Sequence, residues 1–516
     1  VTENTSPAPD ALADPATADP VVAGSAADAP LAATDVTTAA PDHTRRNNRV
    51  IWLLLSATFV VILNETIMSV AIPRLMDDLA IDAVAAQWLS TAFMLTMAVV
   101  IPITGFLLQR FSTRSIFIAA MSLFSLGTLS AALAPGFGVL VVARVIQASG
   151  TAIMLPLLMT TLMTLVPANK RGRTMGNVSI VISVAPAIGP TISGVILNFL
   201  DWRWMFLIVL PIAVVMLLIG IKYVENVTEP EKVKIDVFSV ILSAFGFGGL
   251  LYGLSQAGEA STAGAVTTAT MWVSIGVGAL SLAGFILRQL RLQRQNRALL
   301  DLRTFRSPIF TVAIALMVIS TAAMFGMIII LPLYLQHVLG LDTLATGLLL
   351  LPGGVVMGVL APFVGRLYDR YGPAPLVVPG SILVSLVLWS LTLITEHTSP
   401  LLILAAHIVF SIGLSLMFTP LFTAGLGSVV PHLYSHASAI VGTVQQVAGA
   451  AGTALLIAVM SARTTAFASA GEPIHMATAG GVRLAFLVAA IISLFAVVGS
   501  FFIRKPADAP EGMPVH

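Results

Sequence analysis

Leu63-Asn64-Glu65-Thr66 sets a carboxylate in the middle of an apolar run about one membrane thickness long. Residues 50–61 are nearly all apolar, 67–72 resume the run, and Pro73-Arg74 closes it, so the pattern predicts one helix over 50–75. An acidic side chain at the centre of such a helix costs about 2.5–3.5 kcal/mol and normally faces a cavity or a partner. Of the 24 acidic residues, seven lie in the first 44 positions and sixteen fall in expected loops or at span ends. Glu65 is the one left inside a span.

The composition around it belongs to a membrane protein. Hydrophobic residues make up 57% and charged residues 10%, with a mean hydropathy of +0.97, whereas a soluble globular chain carries roughly 25% charged residues. Apolar runs of about 20 residues recur, which argues for helices and against the alternating ten-residue segments of an outer-membrane barrel. The expected class is an all-α polytopic membrane protein. The absence of cysteine excludes disulfides, thiolate chemistry and cysteine metal sites. The spans hold no Ser/His/Asp grouping, metal-ligand cluster or phosphate loop, so neither an enzyme nor an ATP-driven pump is expected, and no cofactor or metal.

Residues 1–44 are rich in Ala, Pro, Asp and Thr and carry no Lys or Arg, a composition expected to be disordered. This stretch lacks the basic start and apolar core of a secretory signal, so no cleavage is expected. Further spans are predicted near 85–108, 115–133, 138–165, 175–200 and 203–223, which with 50–75 complete a first six-helix bundle over 45–223. Two glycine-rich spans, 237–256 and 271–290, with a basic linker, form an inserted segment over 224–306. Six more spans begin near 309, 343, 374, 400, 437 and 480, giving a second bundle over 307–505 and a short tail, 506–516. The total is fourteen. With the N-terminus inside, 21 of the 26 Lys and Arg residues fall in cytoplasmic segments, four fall outside, and Arg144 lies within a span. That asymmetry predicts both termini in the cytoplasm.

The chain also repeats itself. Gly105-Phe106-Leu107-Leu108-Gln109-Arg110 after the second span matches Gly365-Arg366-Leu367-Tyr368-Asp369-Arg370 after the tenth. Eight helices separate corresponding points, so the two bundles are parallel repeats about an axis along the membrane normal. The basic turns are either ordinary positive-inside loops or latches between the halves, in which Arg110, Arg114, Asp369 and Arg370 would pair with carboxylates or helix C-terminal carbonyls.

Arg144 lies in the outer half of the fourth span; it either snorkels or holds a carboxylate and orients polar groups in a cavity. Matching Gly150 to Gly413 sets His407 opposite Arg144 in the repeat, as a satisfied structural histidine or a second titratable group. The fifth span carries Pro186, Gly189, Pro190 and Gly194, which read as tight helix packing or as a bend that seals one side of a cavity. The corresponding stretch of the second half, 445–452, is polar and small but lacks proline. Asn64, Thr91, Gln147, Gln445 and Gln446 are the polar side chains expected to line a central cavity, with Glu65, Arg144 and His407 as the proton-coupling set.

Taken together, 63–73, 105–114, 144–150 and 189–194 resemble, in order, four motifs of the major facilitator superfamily, and within it the 14-helix drug/proton antiporter branch. The Asn64-Glu65-Thr66 and Gln109-Arg110-Phe111 forms are most similar to lincomycin-resistance-type multidrug exporters. Three positions depart from the family pattern. Asn64 stands where Asp is usual, which moves the carboxylate by one residue, about 100° around the helix. Gln109 replaces an Asp and Ser112 a Gly, so the first latch lacks its own acid, while Asp369 and Gly372 keep the pattern in the second copy. The resemblance implies a proton-coupled antiporter in a bacterial cytoplasmic membrane, exporting small amphipathic, cationic or weakly basic compounds by alternating access. It assigns the proton to Glu65, coupling to Arg144, the latch to Arg110, Asp369 and Arg370, and the antiporter signature to Gly189 and Pro190.

The expected partners are a small-molecule substrate, protons and the lipid bilayer, with no nucleic acid and a monomeric state. Two alternatives remain open at this point: export of a specific metabolite such as a diamine or amino-acid derivative, and a non-transporting receptor or scaffold in which Glu65 merely pairs with Arg144.

Overall fold

The structure, a computed structural model, describes residues 43–81, 83–227, 230, 235–256 and 265–506. The tail expected over 1–44 falls outside the described residues up to position 42, as does the C-terminal tail from 507.

Among the described residues, fourteen helices are long and apolar enough to cross a membrane, the form in which each backbone polar group is satisfied within its own segment. They are α1 (His43–Leu79), α2 (Ala83–Arg110), α3 (Thr113–Ala132), α4 (Phe137–Leu165), α5 (Arg171–Phe199), α6 (Trp204–Tyr223), α7 (Val237–Ser255), α8 (Ala265–Leu292), α9 (Pro308–His337), α10 (Thr343–Tyr371), α11 (Ala374–Ser390), α12 (Pro400–Gly427), α13 (Tyr434–Ser469) and α14 (Ile474–Ser500). Side-chain caps set several starts: Ser112, Asp236, Ser307 and Asp342 each accept a backbone N–H from the first turn of α3, α7, α9 and α10. Gly372, at φ +78°, ends α10 in a conformation that glycine adopts without strain. Helix α1 starts seven residues before the expected Val50, because its polar first two turns extend beyond the apolar run.

The internal repeat is visible atom by atom. An added Cβ at Gly150 of α4 would lie 2.3 Å from the Ala120 carbonyl oxygen and 2.7 Å from the Phe124 nitrogen of α3. One at Gly413 of α12 would lie 2.9 Å from the Gly380 carbonyl oxygen and 3.1 Å from the Val384 nitrogen of α11. Ala120 and Gly380, like Phe124 and Val384, are separated by the same interval as Gly105 and Gly365. Small residues at these points let the helix backbones touch.

The inserted pair is a unit wired to the basic linker. Helices α7 and α8 meet at Gly249 and Gly278, where backbones approach as small residues permit. Asp236 accepts from Arg288 Nε at 2.6 Å and Nη2 at 2.8 Å, and also from Ser239. Gln289, fully buried, donates to Ser239 Oγ at 2.8 Å and accepts the backbone N–H groups of Leu299 and Leu300. Residues 298–301 are thereby held buried under the bundle. On its other side α7 faces α2, with Trp88 stacked on Tyr252 at 5.7 Å.

The two halves close on each other at the face where α1 begins and α2, α4, α10 and α12 end, called here the basic face. Thr419 donates to Ser179 at 2.8 Å across the α12/α5 contact, and an added Cβ at Gly365 would lie 2.2 Å from the Gly172 carbonyl oxygen. Gly105 of α2 packs on His436 and Ala439 of α13, and Gly442 on Ile101. Contact along α5 and α10 continues up to Val184 against Gly358. Beyond it, no described atom lies within 4 Å of the Cβ position of Gly194 or Gly347, toward the opposite face. The two halves are thus in close contact at the basic face.

Candidate functional site

The polar interruption in the apolar run of α1, itself one unbroken helix, lies on two faces of one turn. Asn64 is 2% exposed, its Oδ1 buried without a hydrogen-bond partner, whereas Glu65 is half-buried. Thr66 lies against α5: its Oγ1 donates to the Leu63 carbonyl at 3.0 Å, the Ala185 carbonyl is 3.5 Å away, and Gly189 leaves room for the hydroxyl. Any side chain at Gly189 would collide with Thr66. Expected residues Pro186, Gly189, Pro190 and Gly194 therefore lie on the helix that packs beside Glu65. Helix α5 runs unbroken through them.

Arg144 is fully enclosed at 1% exposure. Its Nη1 donates to Gln147 Oε1 at 2.6 Å, its Nε approaches the Leu89 carbonyl at 3.5 Å, and its guanidinium sits 4.1 Å over the Phe93 ring. Gln147 passes the chain on, donating to Thr128 Oγ1 at 2.8 Å, and Thr128 ends it on the Phe124 carbonyl. This fixed geometry excludes snorkelling. Among the described residues Arg144 makes no ion pair; the charge it feels is Glu65, and the charge Glu65 feels is Arg144. A half-buried carboxylate on α1 is thus coupled by charge to a guanidinium on α4 that cannot leave its place.

His407 occupies the mirror position in the second half. Arg144 reaches back from α4 to Leu89 of α2, and the His407 ring reaches from α12 to the Leu350 backbone of α10, lying against Gly353 with Nδ1 unpartnered. Its described contacts all lie within the second half, so the structure does not bring it to Glu65. Of the other expected cavity residues, Gln147 is buried within the Arg144 network. Thr91, Gln445 and Gln446 are half-buried, and the Gln446 amide lies 3.7 Å from Met97 sulfur across the α13/α2 contact.

The latch residues separate into two groups. Asp369 bridges the halves: its two oxygens accept the Gly172 and Arg173 N–H groups, both at 2.8 Å, at the N-terminus of α5. There a carboxylate also meets the positive end of the helix dipole. Arg114 donates to the Ile221 carbonyl near the end of α6, a contact inside the first half. Arg370 stacks on its neighbour Tyr371, and Arg110 is exposed. Gln109, standing where the first latch lacks an acid, reaches the His432 carbonyl of the second half at 3.4 Å.

Phe93, Met97, Thr128 and His436 complete this arrangement and were not singled out from sequence. Phe93 and Met97 sit one helical turn apart on α2 and line up with Leu89, a spacing that any buried helix face shows. His436 had one indirect signal, the recurrent Gly105 against which its ring packs.

Residues 54–453 match the sequence profile of the Major Facilitator Superfamily. The chain is 42% identical over 468 residues to the uncharacterized MFS-type transporter YcnB of Bacillus subtilis, covering 90% of this chain and 97% of that protein. It is also 42% identical over 456 residues to the lincomycin resistance protein LmrB of Listeria monocytogenes, covering 87% and 95%. Among solved structures, the human organic anion transporter MFSD10 superposes with a TM-score of 0.62 at 12% identity, covering 88% of this chain and 99% of that one. The proton:xylose symporter XylE gives 0.60 at 15%, covering 90% and 98%. With its paired six-helix repeats, its cross-half contacts and this similarity over most of its length, the chain is a membrane transporter, not an enzyme, and belongs to the Major Facilitator Superfamily.

Proposed function

We propose that the protein is a proton-coupled exporter of small amphipathic, cationic or weakly basic compounds, with the basic face in the cytoplasm and both termini on that side. The observation that carries this reading is the half-buried Glu65 inside α1, coupled by charge to an immobilised Arg144, in a bundle whose halves close on each other at the basic face. In this reading protons reach Glu65 from the face opposite the basic one. A proton taken up there removes the attraction to Arg144 and leaves no net anion to hold back the closure of that face. After rocking, release of the proton to the cytoplasm restores a carboxylate that a cationic substrate can pair with. For a weak base carried in its neutral form, the one net charge moved across 100 mV supplies about 2.3 kcal/mol, roughly a fifty-fold gradient per proton; one-for-one exchange against a monocation moves no net charge and draws on the pH difference alone, about tenfold per pH unit. Similarity to lincomycin resistance proteins places lincomycin among the first compounds to try.

The test is proton release from acid-loaded vesicles carrying the purified protein, on adding lipophilic cations or lincomycin, beside Glu65→Gln. Substrate-triggered release in wild type that is abolished in Glu65→Gln is expected. Release unchanged by the substitution would remove Glu65 from coupling, and substrate uptake without proton movement would remove antiport.

A further inference from the structure

The linker between α8 and α9 contains a site that transport does not use. Leu290, Gln293, Arg294, Arg303 and Arg306 surround a cavity of about 340 Å³ at the basic face, within the range of roughly 300–1,000 Å³ typical of small-ligand clefts. Its charge is unbalanced. Arg303 is committed to Asp301, with Nε 2.8 Å from Oδ2, and to Asn296. Arg294 and Arg306 are exposed and form no ion pair with a described residue. The polar lining also lacks a donor: Gln293 Oε1 is buried without a hydrogen-bond partner.

The position of the cavity selects among anions. Leu290 belongs to the last turn of α8, whose outer surface is the least covered in the bundle, with Leu280, Leu287 and Leu290 exposed by 77%, 62% and 42%. An apolar track on a lipid-facing helix therefore leads straight into a basic pocket at the depth where headgroups lie. We infer that this pocket binds an anionic glycerophospholipid of the phosphatidylglycerol type. Its phosphodiester lies between Arg294 and Arg306, a headgroup hydroxyl donates to Gln293 Oε1, and an acyl chain runs along Leu290 and Leu287. Arginine suits a phosphate in this setting because its planar fork donates two parallel hydrogen bonds. The pocket adjoins the buried 298–301 segment that Gln289 anchors, so an occupied site would brace the linker between the inserted pair and the second half.

Native mass spectrometry of the full chain in detergent, with equal amounts of phosphatidylglycerol and phosphatidylcholine, tests the site. Retention of one phosphatidylglycerol in at least fivefold preference is expected, lost in Arg294→Gln/Arg306→Gln and reduced but not lost in Arg294→Lys/Arg306→Lys, which keeps the charge without the fork. Both arginines are exposed, and an unchanged unfolding temperature in phosphatidylcholine shows that the variants are folded. Gln293→Leu should still prefer phosphatidylglycerol over phosphatidylcholine but no longer distinguish it from phosphatidic acid, which lacks the headgroup hydroxyls. Equal retention of both lipids, or undiminished preference in the double Gln variant, overturns the assignment. Displacement of the bound lipid by millimolar inorganic phosphate would reassign the pocket to a soluble anion and likewise overturn it.

Discussion

At the scale of single residues, the site rests on an asymmetry between neighbours. Asn64 points into packed protein and Glu65 toward accessible space, so the order of the two cannot be exchanged freely. The swap Asn64→Asp/Glu65→Asn should fold poorly or fail to couple, because a carboxylate at 64 would be buried where even a neutral amide oxygen has no donor; restored proton release in the swap would show that the two faces are equivalent. Arg144 offers the complementary experiment. Arg144→Lys keeps the charge but loses the Phe93 stacking and the fixed bond to Gln147, and transport should fall at least tenfold with the protein still folded. Arg144→Ala also removes the charge that Glu65 feels and leaves Gln147 Oε1 without its donor, and it should abolish coupling. Glu65 and Arg144 were legible in the sequence because a charge inside an apolar run announces itself. Phe93 and Thr128 were not, since an aromatic or a threonine on a transmembrane helix is what ordinary packing also requires.

At the scale of helices and their ends, Asp369 and the Asp236 cluster do different work with the same chemistry. Asp369 ties α10 to the start of α5 through two charge-assisted hydrogen bonds. Asp369→Asn should cost about 1.5 kcal/mol of the shut conformation, close to tenfold in its population. The chain has no cysteine, so a single cysteine at Thr443, buried beside the Gly442–Ile101 contact, can be labelled without background. Its labelling from the basic face should rise several-fold in Asp369→Asn, and an unchanged rate would show that the latch lies elsewhere. Asp236 instead fastens α7 to α8, and its hydrogen bonds to Arg288 lower its carboxyl to about 2. A carboxyl so lowered adds stability that is present above about pH 4 and is lost as the pH falls toward 2. Protection from hydrogen exchange in α7 and α8, taken relative to the intrinsic rate at each pH, should therefore stay constant down to about pH 4 and fall below it, whereas Asp236→Asn should show the low protection already at pH 7. The helices themselves were readable from apolar length, and the Asp369 turn from its recurrence. The burial of 298–301 was not readable, because Arg288 through Arg306 look like a solvated basic loop until Gln289 is seen to hold Leu299 and Leu300.

At the scale of the whole molecule, the contact-level repeat constrains how the bundle can move. Each half is held internally by backbone-close contacts, Gly150 on α3 and Gly413 on α11, and such packed cores shift as bodies rather than deform continuously. The halves meet just as closely at the basic face, where Gly365 lies against Gly172 and Gly176 against Ala361, joined by the Asp369 bonds, the Thr419–Ser179 bond, and the Gly105 and Gly442 contacts. Opening the basic face therefore has to carry the far ends of α5 and α10 together. Gly194 and Gly347 stand at those ends with open space around them, so Gly194→Cys and Gly347→Cys should both label readily from the face opposite the basic one. Gly365→Val, which places bulk against the Gly172 carbonyl where even a Cβ has no room, should prise the basic face apart, and labelling at 194 and 347 should then drop together while labelling at Thr443→Cys rises. A fall at one far position without the other would mean that the helices bend individually. Open access at all three positions in the same variant would mean that the two faces are not coupled, and rigid-body alternation would be lost as the basis of transport.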